Sequence, residues 1–369
     1  MQTKIFAVTA FGLLATLLVG CSDADPKLDS PVQLEGEIFG TFYQVTIADP
    51  LTRSRVEELE ADVVGELEAV DAAMSTYRDD SELMAFNEAP VGEWQILSEE
   101  LIEVLAVSEA VAEASGGAFD VTIGGLVNLW SFGPEARPRE IPEQSELQAR
   151  LAEIGHDKLE VDVENRRARR LSDVFVDLSG VAKGHGTDRV ASYLETQGIE
   201  HYLVNIGGEL AVKGYRDGDE TPWRVGVEVP DGSQRVAQHV LPLHDISVAT
   251  SGDYRNYFEE NGKRYSHTID PRNGYPIRHK LASVSVLHPS NAWADAWATA
   301  LLVLGPESAM ALAREQDLKV LTLERTDNGW ASRVSPAFVD YFGEETVTEM
   351  NIALPDDNMN MNGNGYKES

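Results

Sequence analysis

Strand-like and helix-like segments follow one another in this chain without a regular βαβ rhythm. Apolar residues from Val56 to Val70 recur at helical spacing, whereas residues 202–206 and 223–229 carry strand patterns with no helical pattern between them. Residues 291–304 and 306–316 form two consecutive helical patterns. A doubly wound sheet would need strands and helices to alternate. The order therefore predicts an α+β fold with mixed sheets and packed helices.

Other segments extend this pattern. Further helices are predicted at residues 101–112 and 147–154 and from about Gly186, and further strands at residues 42–47, 174–176, 281–287 and 319–324. The chain has one cysteine, so no intramolecular disulfide can join these elements. Apolar residues make up 43% of the chain, which is enough for a substantial core.

The N-terminus has the pattern of an export signal. An apolar run from Ile5 to Val19 follows Lys4 and ends in the letters LVGC, whose cysteine is Cys21. The run is shorter than the about 20 apolar residues that a spanning helix needs. Its end matches the bacterial lipobox, in which the cysteine is lipidated and becomes the mature N-terminus. We predict a signal peptide over residues 1–20, lipidation at Cys21 and anchorage to the cell membrane facing the periplasm, with the inner membrane favoured. The alternative is a plain signal peptide that happens to contain Cys21.

Composition sets the remaining boundaries. Residues 21–31 contain Asp, Pro, Ser and Lys with little apolar content, which is typical of a tether. Residues 351–369 are rich in Asn, Met and Gly, which predicts a disordered tail. The folded domain is predicted over residues 32–350.

The charge balance excludes one class of partner. The chain has 62 acidic and 30 basic residues, a formal net charge of −32. Such a surface repels nucleic acid, so we predict no nucleic-acid partner. An anionic ligand would need local cations, backbone N–H groups or a metal ion to overcome the general field.

Two segments offer groups that suit a flat polar ligand. Tyr77 can stack on a ring, and Arg78 can meet a phosphate. Asp120 follows the pair Gly116 and Gly117, where the backbone can approach a ligand closely. Each segment can equally be a helix end followed by a turn.

A third segment, from Asp177 to Gly184, lies between a predicted strand and a predicted helix. A glycine-containing turn in that place presents backbone N–H groups to anions, and Lys183 adds a positive charge. The spacing of its glycines does not match the P-loop. The other interpretation is an ordinary strand–helix loop.

Two more segments carry acid–base and metal-binding groups. His267 lies beside a Ser/Thr-rich turn and is a candidate general base, although a lone histidine is more often structural. Asp295 and Thr299 are four residues apart on a predicted helix, so they share one face. A carboxylate and a hydroxyl are hard oxygen donors that suit Mg²⁺, but two ligands are too few without a loop, waters or substrate phosphates.

Taken in order, these segments resemble the ApbE family of FAD:protein FMN transferases from about Gly36 to Gly305. The matching stretches are MSTYRDDSEL, GGAFDVTIGGLVNLW, DLSGVAKGHGTDRV, YLVNIGGEL, VATSGDYRNYF, RYSHTIDPRNGYPI and ADAWATALLVLG. One such string can arise by chance, but seven in sequence order are very specific. The resemblance implies an ApbE-like, T-fold-like domain.

The resemblance also implies roles for individual residues. Asp177 and Lys183 would contact FAD, and Gly180 would give its backbone carbonyl to Mg²⁺, whose site Asp295 and Thr299 would complete. His267 lies where the family's catalytic histidine falls. The residues that would line the flavin and adenine pockets are Tyr77, Ala118, Phe119, Asp120 and Ile269. The family usually has Met-Gly-Thr near the start of the domain, whereas this chain has Phe39-Gly40-Thr41, and Phe39 would pack against the flavin instead.

The implied reaction is Mg²⁺-dependent transfer of FMN from FAD to a threonine hydroxyl of an acceptor protein, with release of AMP. The implied acceptor is a flavoprotein subunit of a membrane redox complex, such as the sodium-pumping NADH:quinone reductase. Two alternatives remain open from the sequence. One is an FAD pyrophosphatase that gives FMN and AMP, and the other is a non-catalytic flavin-binding lipoprotein.

Overall fold

The computed structural model describes residues 25–29, 31–135, 137–230 and 236–355. The predicted signal peptide and the lipidation site Cys21 lie outside these ranges, as do residues 356–369 of the predicted tail. Within these ranges, no helix is both long enough and apolar enough to cross a membrane.

Strands and helices are both numerous. The strands are β1 (Val32–Ile38), β2 (Thr41–Ile47), β3 (Gln95–Ile96), β4 (Leu159–Asp162), β5 (Arg167–Arg170), β6 (Tyr202–Ile206), β7 (Glu209–Lys213), β8 (Trp223–Glu228), β9 (Ala237–Leu243), β10 (Ile246–Gly252), β11 (Tyr257–Glu260), β12 (Lys263–Ser266), β13 (Ile269–Asp270), β14 (Tyr275–Pro276), β15 (Leu281–His288), β16 (Lys319–Thr326) and β17 (Gly329–Val334). The helices are α1 (Arg53–Met74), α2 (Glu82–Glu88), α3 (Glu99–Ala114), α4 (Gly124–Leu129), α5 (Gln144–Glu153), α6 (Ala182–Thr196), α7 (Asn291–Leu304), α8 (Pro306–Glu315), α9 (Pro336–Phe342) and α10 (Glu344–Glu349).

One large sheet organises the domain. Eight strands pair in the order β1-β2-β6-β7-β10-β15-β16-β17, and every ladder between them is antiparallel. Strand β15, near the middle, is buried along almost its whole length, which requires cover on both faces. The α+β class predicted from the sequence is confirmed.

Side chains on the two faces of the sheet enter different cores. Val320 packs on the side of helices α3, α7 and α8, whereas its neighbour Leu321 packs on the opposite side. This alternation follows from the two-residue period of a strand. The opposite side is covered by the β8–β9 hairpin, which contributes Trp223, and by α9, which contributes Phe338. The domain is therefore a sheet with helices on one face and a hairpin with short helices on the other.

The segment before α6 differs from its prediction. The strand expected at residues 174–176 is wrong, because Phe175 makes only a single bridge with Ile123. Asn87 binds the backbone of Val176 instead, since its Nδ2 donates to the Val176 carbonyl (2.9 Å) and its Oδ1 accepts from the Val176 N–H (2.7 Å). Helix α6 also begins at Ala182, earlier than the predicted start near Gly186.

Both ends of the described chain contact the domain. The Asp25 carboxylate accepts a hydrogen bond from the backbone N–H of Ser54 (3.0 Å), at the start of α1. At the other end, Met350 and Ile352 are buried in the core that contains Phe338. The packed chain thus includes residues on either side of the 32–350 boundaries drawn from composition.

Candidate active site

A cavity of about 1200 Å³ opens between the ends of the sheet strands, α1, α6, α7 and the β8–β9 hairpin. This volume exceeds the range of roughly 300–1,000 Å³ that is typical of small-molecule sites, which suits a dinucleotide-sized ligand. The structure brings twelve of the residues singled out in the sequence to this one cavity. They are Phe39, Tyr77, Ala118, Phe119, Asp120, Asp177, Gly180, Lys183, His267, Ile269, Asp295 and Thr299.

The crossing of α6 and α7 positions the charged groups. A Cβ at Gly184 would lie 2.5 Å from the carbonyl oxygen of Asn291, so only glycine lets the two helices approach this closely. The Asp188 carboxylate on α6 accepts hydrogen bonds from the backbone N–H groups of Asn291 (2.6 Å) and Ala292 (3.0 Å) at the start of α7. A carboxylate at a helix N-terminus is stabilising, so these bonds fix α7 relative to α6.

Three charged groups meet beside this crossing. The Lys183 Nζ lies 2.5 Å from Glu209 Oε1 and 3.4 Å from Asp295 Oδ2, and both carboxylates are buried. Burial lowers the pKa of Lys183, but Asp295 and Glu209 outweigh it and the net shift is upward, so the ammonium stays charged. Burial, together with the charge of Asp295, raises the pKa of Glu209 to about 7. One ammonium thus faces two buried carboxyl groups, and the raised pKa of Glu209 reflects that Lys183 does not fully compensate them.

Neutral oxygen donors adjoin the Asp295 carboxylate. The Thr299 hydroxyl lies one helical turn along α7 and is 3.1 Å from the hydroxyl of Ser251. Gly180 is next to it, because a Cβ at Gly180 would be 3.4 Å from Thr299 Oγ1. Hydroxyls, a carboxylate and a backbone carbonyl are the ligands that Mg²⁺ accepts.

The lining of the cavity as a whole carries more acidic than basic residues. Its lining includes four basic residues, Arg78, Lys183, Arg224 and Arg255, and six acidic ones, Asp71, Asp120, Asp177, Glu209, Glu228 and Asp295. The formal charge of the lining is therefore −2, which disfavours the binding of an anionic pyrophosphate. Among the described residues, no group of three or more His, Cys, Asp or Glu side chains is arranged to hold a metal. Asp295, Thr299 and the Gly180 carbonyl are too few to complete a magnesium site, so a divalent cation there would take its remaining ligands from substrate phosphates or water.

Two aspartates in the lining are held by their own turns. Asp120 Oδ1 accepts from the N–H (2.8 Å) and the hydroxyl (2.7 Å) of Thr122, and Asp177 Oδ1 accepts from the Ser179 N–H (2.8 Å). These local bonds fix the carboxylates at the cavity wall. Burial raises the pKa of Asp120.

Two aromatic residues lie at the cavity wall, Tyr77 with an exposed ring and Phe39 with its ring packed against α6. Tyr77 is 69% exposed, so its ring is available at the cavity wall, and burial of its hydroxyl end near Asp177 raises its pKa. Phe39 occupies the two-residue β1–β2 turn with Gly40, and its φ of 53° is unusual for a bulky residue. Its ring edge would be 3.0 Å from a Cβ at Gly186 on α6. Phe39 is therefore wedged between the hairpin turn and α6 at the cavity wall.

His267 has a defined tautomer in this setting. Its Nδ1 is 3.1 Å from the carbonyl oxygen of Asn256, and a carbonyl can only accept, so Nδ1 carries the proton. The Nε2 atom is then the proton acceptor. Burial lowers the pKa of His267, the bond to Asn256 opposes this, and the charge of Lys183 adds to the lowering. The ring is neutral at pH 7 and can act as a base.

The structure adds residues that sequence reasoning did not assign. Glu209 lies in the YLVNIGGEL stretch and Ser251 in VATSGDYRNYF, so both were within reach of the resemblance but had no role there. Only their contacts with Lys183 and Thr299 identify them. Arg78, expected to meet a phosphate, also lines the cavity, but it pairs with Asp71 (3.3 Å) and Asp80 (3.0 Å).

Comparisons with known proteins identify the family of the chain. The model of the ApbE family matches residues 39–322. The chain is 42% identical over 329 residues to a Vibrio cholerae protein named FAD:protein FMN transferase, a match that covers 89% of this chain and 96% of the relative. It is 38% identical to the Escherichia coli protein of the same name, over 91% of this chain and 98% of the relative.

Solved structures of ApbE proteins have the same fold as this chain. The flavin transferase ApbE from Vibrio cholerae superposes with a TM-score of 0.77 at 40% identity, covering 85% of this chain and 99% of that one. The ApbE protein of Thermotoga maritima superposes with a TM-score of 0.75 at 27% identity, covering 84% and 98%. A family model that spans most of the domain, close relatives of nearly equal length and the shared fold lead to one conclusion: the chain belongs to the ApbE family.

Proposed function

We propose that this protein is an FAD:protein FMN transferase, which moves the FMN part of FAD onto a threonine hydroxyl of an acceptor protein and releases AMP. The observation that carries the proposal is the convergence of Lys183, Asp295, Thr299 and His267 on one dinucleotide-sized cavity. The transferase name of the relatives agrees with it.

Lys183 and His267 have different roles in the proposed phosphoryl transfer. Lys183, held by Glu209 and Asp295, directs its ammonium group at the phosphates and offsets charge that builds on them. His267 accepts the proton of the acceptor hydroxyl at Nε2. That hydroxyl oxygen forms a bond to the FMN phosphorus while the bond from this phosphorus to the bridging oxygen breaks, and AMP leaves with that oxygen.

Magnesium belongs to this proposal. Asp295, Thr299 and the carbonyl of Gly180 would hold it, and it would supply positive charge next to the pyrophosphate. The incomplete compensation of Glu209 and Asp295 by Lys183 and the formal balance of −2 in the cavity lining favour it.

Location and acceptor are further parts of the proposal. Lipidation at Cys21 would anchor the domain to the cell membrane on the periplasmic side, and the acceptor would be a flavoprotein subunit of a membrane redox complex. The lipobox at the end of the apolar run supports the anchor.

One experiment separates this function from its alternatives. The soluble domain is incubated with FAD, Mg²⁺ and the flavin-accepting subunit of a sodium-pumping NADH:quinone reductase, and the products are separated on a denaturing gel. Flavin fluorescence on the acceptor band supports transfer. Free FMN and AMP without labelled acceptor would indicate a pyrophosphatase, and intact FAD would indicate a flavin-binding protein.

The role of Asp295 has its own test. Asp295→Asn keeps the side-chain volume but removes the charge, so the Mg²⁺ concentration that gives half-maximal transfer should rise at least about tenfold. Asp253→Asn is the control, because Asp253 is also a buried aspartate in an ion pair, with Arg325, but does not line the cavity. Equal Mg²⁺ dependence in the Asp295 variant and the wild type would remove Asp295 from the metal site.

A further inference from the structure

Strand β8 has a second edge outside the described ladders. Within the described part of the chain it pairs only with β9, in a two-stranded sheet separate from the large one. Trp223, Val225 and Val227 on β8 point into the core, whereas Arg224 and Gly226 are exposed. An edge strand with unpaired backbone groups is a template for an added strand.

Pro242 determines which backbone groups face that edge. Arg224 is opposite Pro242 in the ladder, and proline has no N–H to donate. In an antiparallel pair, residues of non-hydrogen-bonded pairs point their N–H and C=O groups away from the partner strand. Arg224 and, two residues on, Gly226 therefore direct these groups to the free edge of β8. Among the described residues, no hydrogen bond reaches the backbone of Arg224 or Gly226 from that side.

The free edge of β8 faces the active-site cavity. All five residues from 224 to 228 line the cavity, including Val225 and Val227, whose side chains are buried in the core. Exposure of one face alone would bring only alternate residues to the wall. Five consecutive lining residues, two of them with buried side chains, indicate that the backbone of β8 reaches the cavity wall.

A short chain of contacts joins this edge to the catalytic histidine. Arg255 Nη2 is 2.5 Å from the carboxylate of Glu228, at the end of β8. The next residue, Asn256, accepts hydrogen bonds from both the backbone N–H (3.0 Å) and Nδ1 (3.1 Å) of His267. Glu228 on β8 is thus linked to His267 through Arg255 and Asn256, and β8 lines the same cavity as His267.

We propose that the acceptor protein binds as an extended segment that adds a third strand to the β8–β9 sheet along the free edge of β8. This inference rests on the proposed transferase function and identifies how its second substrate is held. Backbone hydrogen bonds to Arg224 and Gly226 align the segment, and its threonine hydroxyl reaches Nε2 of His267. The acceptor is thus recognised largely through its backbone, with a flexible or edge segment as the substrate.

The test replaces one backbone donor. Gly226→Pro removes the N–H that faces the cavity without removing a bond of the β8–β9 ladder. We expect about a tenfold higher KM for a short peptide spanning the modified threonine of the flavin-accepting subunit, because the hydrogen bond donated by the Gly226 N–H is lost. The dissociation constant for FAD should stay within about twofold of the wild-type value, since the edge belongs to the acceptor site.

The control replaces the residue opposite Gly226 in the ladder. Val240 lies directly opposite Gly226 on β9, and its N–H faces the other side of the hairpin, away from β8. The KM of Val240→Pro should stay near the wild-type value. Similar KM values for both proline variants, or an equal loss of FAD affinity in Gly226→Pro, would overturn the proposal.

A second measurement needs no enzyme variant. Methylating single backbone nitrogens of the peptide should raise KM at alternate positions only, since every second N–H of an added strand faces β8. Uniform or absent effects would contradict strand addition. Failure of the wild-type protein to label any acceptor would instead count against the transferase function itself.

Discussion

At the residue scale, the site depends on one ammonium group that is shared by two carboxyl groups. Lys183 is shared by Glu209 and Asp295, both buried, on three different elements. Removing either carboxylate would change both the charge of the site and the direction of the ammonium. The sequence supplied Lys183 and Asp295 through recognisable motifs, but the pairing of Lys183 with Glu209 came only from the way β7 meets α6.

The pH dependence of transfer follows from His267. Burial lowers its pKa below the usual 6.5, and only the neutral ring can accept a proton. The contribution of His267 to the rate should therefore be constant around pH 7 and above, and should fall as the pH drops through the lowered pKa. Measuring kcat from about pH 8 to about pH 5 in the wild type and in His267→Ala tests this.

The variant acts as the control for other titrating groups. His267→Ala should bind FAD normally, react slowly and retain whatever pH dependence Glu209 contributes. The difference between the two profiles then belongs to His267. A wild-type profile that falls in the same way as that of the variant would argue that another group is the base.

At the element scale, the close crossing of α6 and α7 decides whether the site exists. Gly184 permits the contact, and Asp188 binds the start of α7. The sequence predicted both helices, and it placed α7 at residues 291–304 as observed. Nothing in either helical pattern indicated which turns would touch, since that depends on the sheet beneath them.

Gly184→Ala should destabilise the protein although alanine favours helices. Its Cβ would lie 2.5 to 2.8 Å from backbone atoms of Asn291 and Ala292, which cannot move without separating the helices. We expect a net loss of about 1–3 kcal/mol in unfolding free energy, measured by chemical denaturation. Transfer activity should fall as well, because Lys183 and Asp295 move apart.

Gly65 provides the matched control on α1. It is an exposed helical glycine, and a Cβ there would meet nothing within 4 Å. Gly65→Ala should therefore stabilise the protein by up to about 1 kcal/mol, through helix propensity alone. If both alanine variants proved stabilising, the close crossing at Gly184 would not be the constraint described.

At the scale of the whole molecule, the formal net charge of −32 opposes folding. Compaction brings like charges together, and salt screens their repulsion over about 10 Å at 0.1 M and about 3 Å at 1 M. The surface ion pairs that salt would weaken contribute little each.

Thermal stability should therefore increase with salt. The Tm should rise by at least a few degrees between low salt and about 1 M NaCl, and KCl should have the same effect because screening depends on ionic strength. A Tm that stayed constant or fell would show that attractive ion pairs outweigh the net repulsion.

The sequence by itself determined the α+β class, most element positions and the identity of the chemical groups, because periodicity and motif order are local properties. It failed at residues 174–176, where the apolar letters favour a strand but Asn87, from a distant helix, binds the backbone instead. Only the tertiary structure decided that Lys183 lies between Glu209 and Asp295 and that β8 lines the same cavity as His267. Those are contacts between segments far apart in the chain, and their geometry is set by packing on the central sheet.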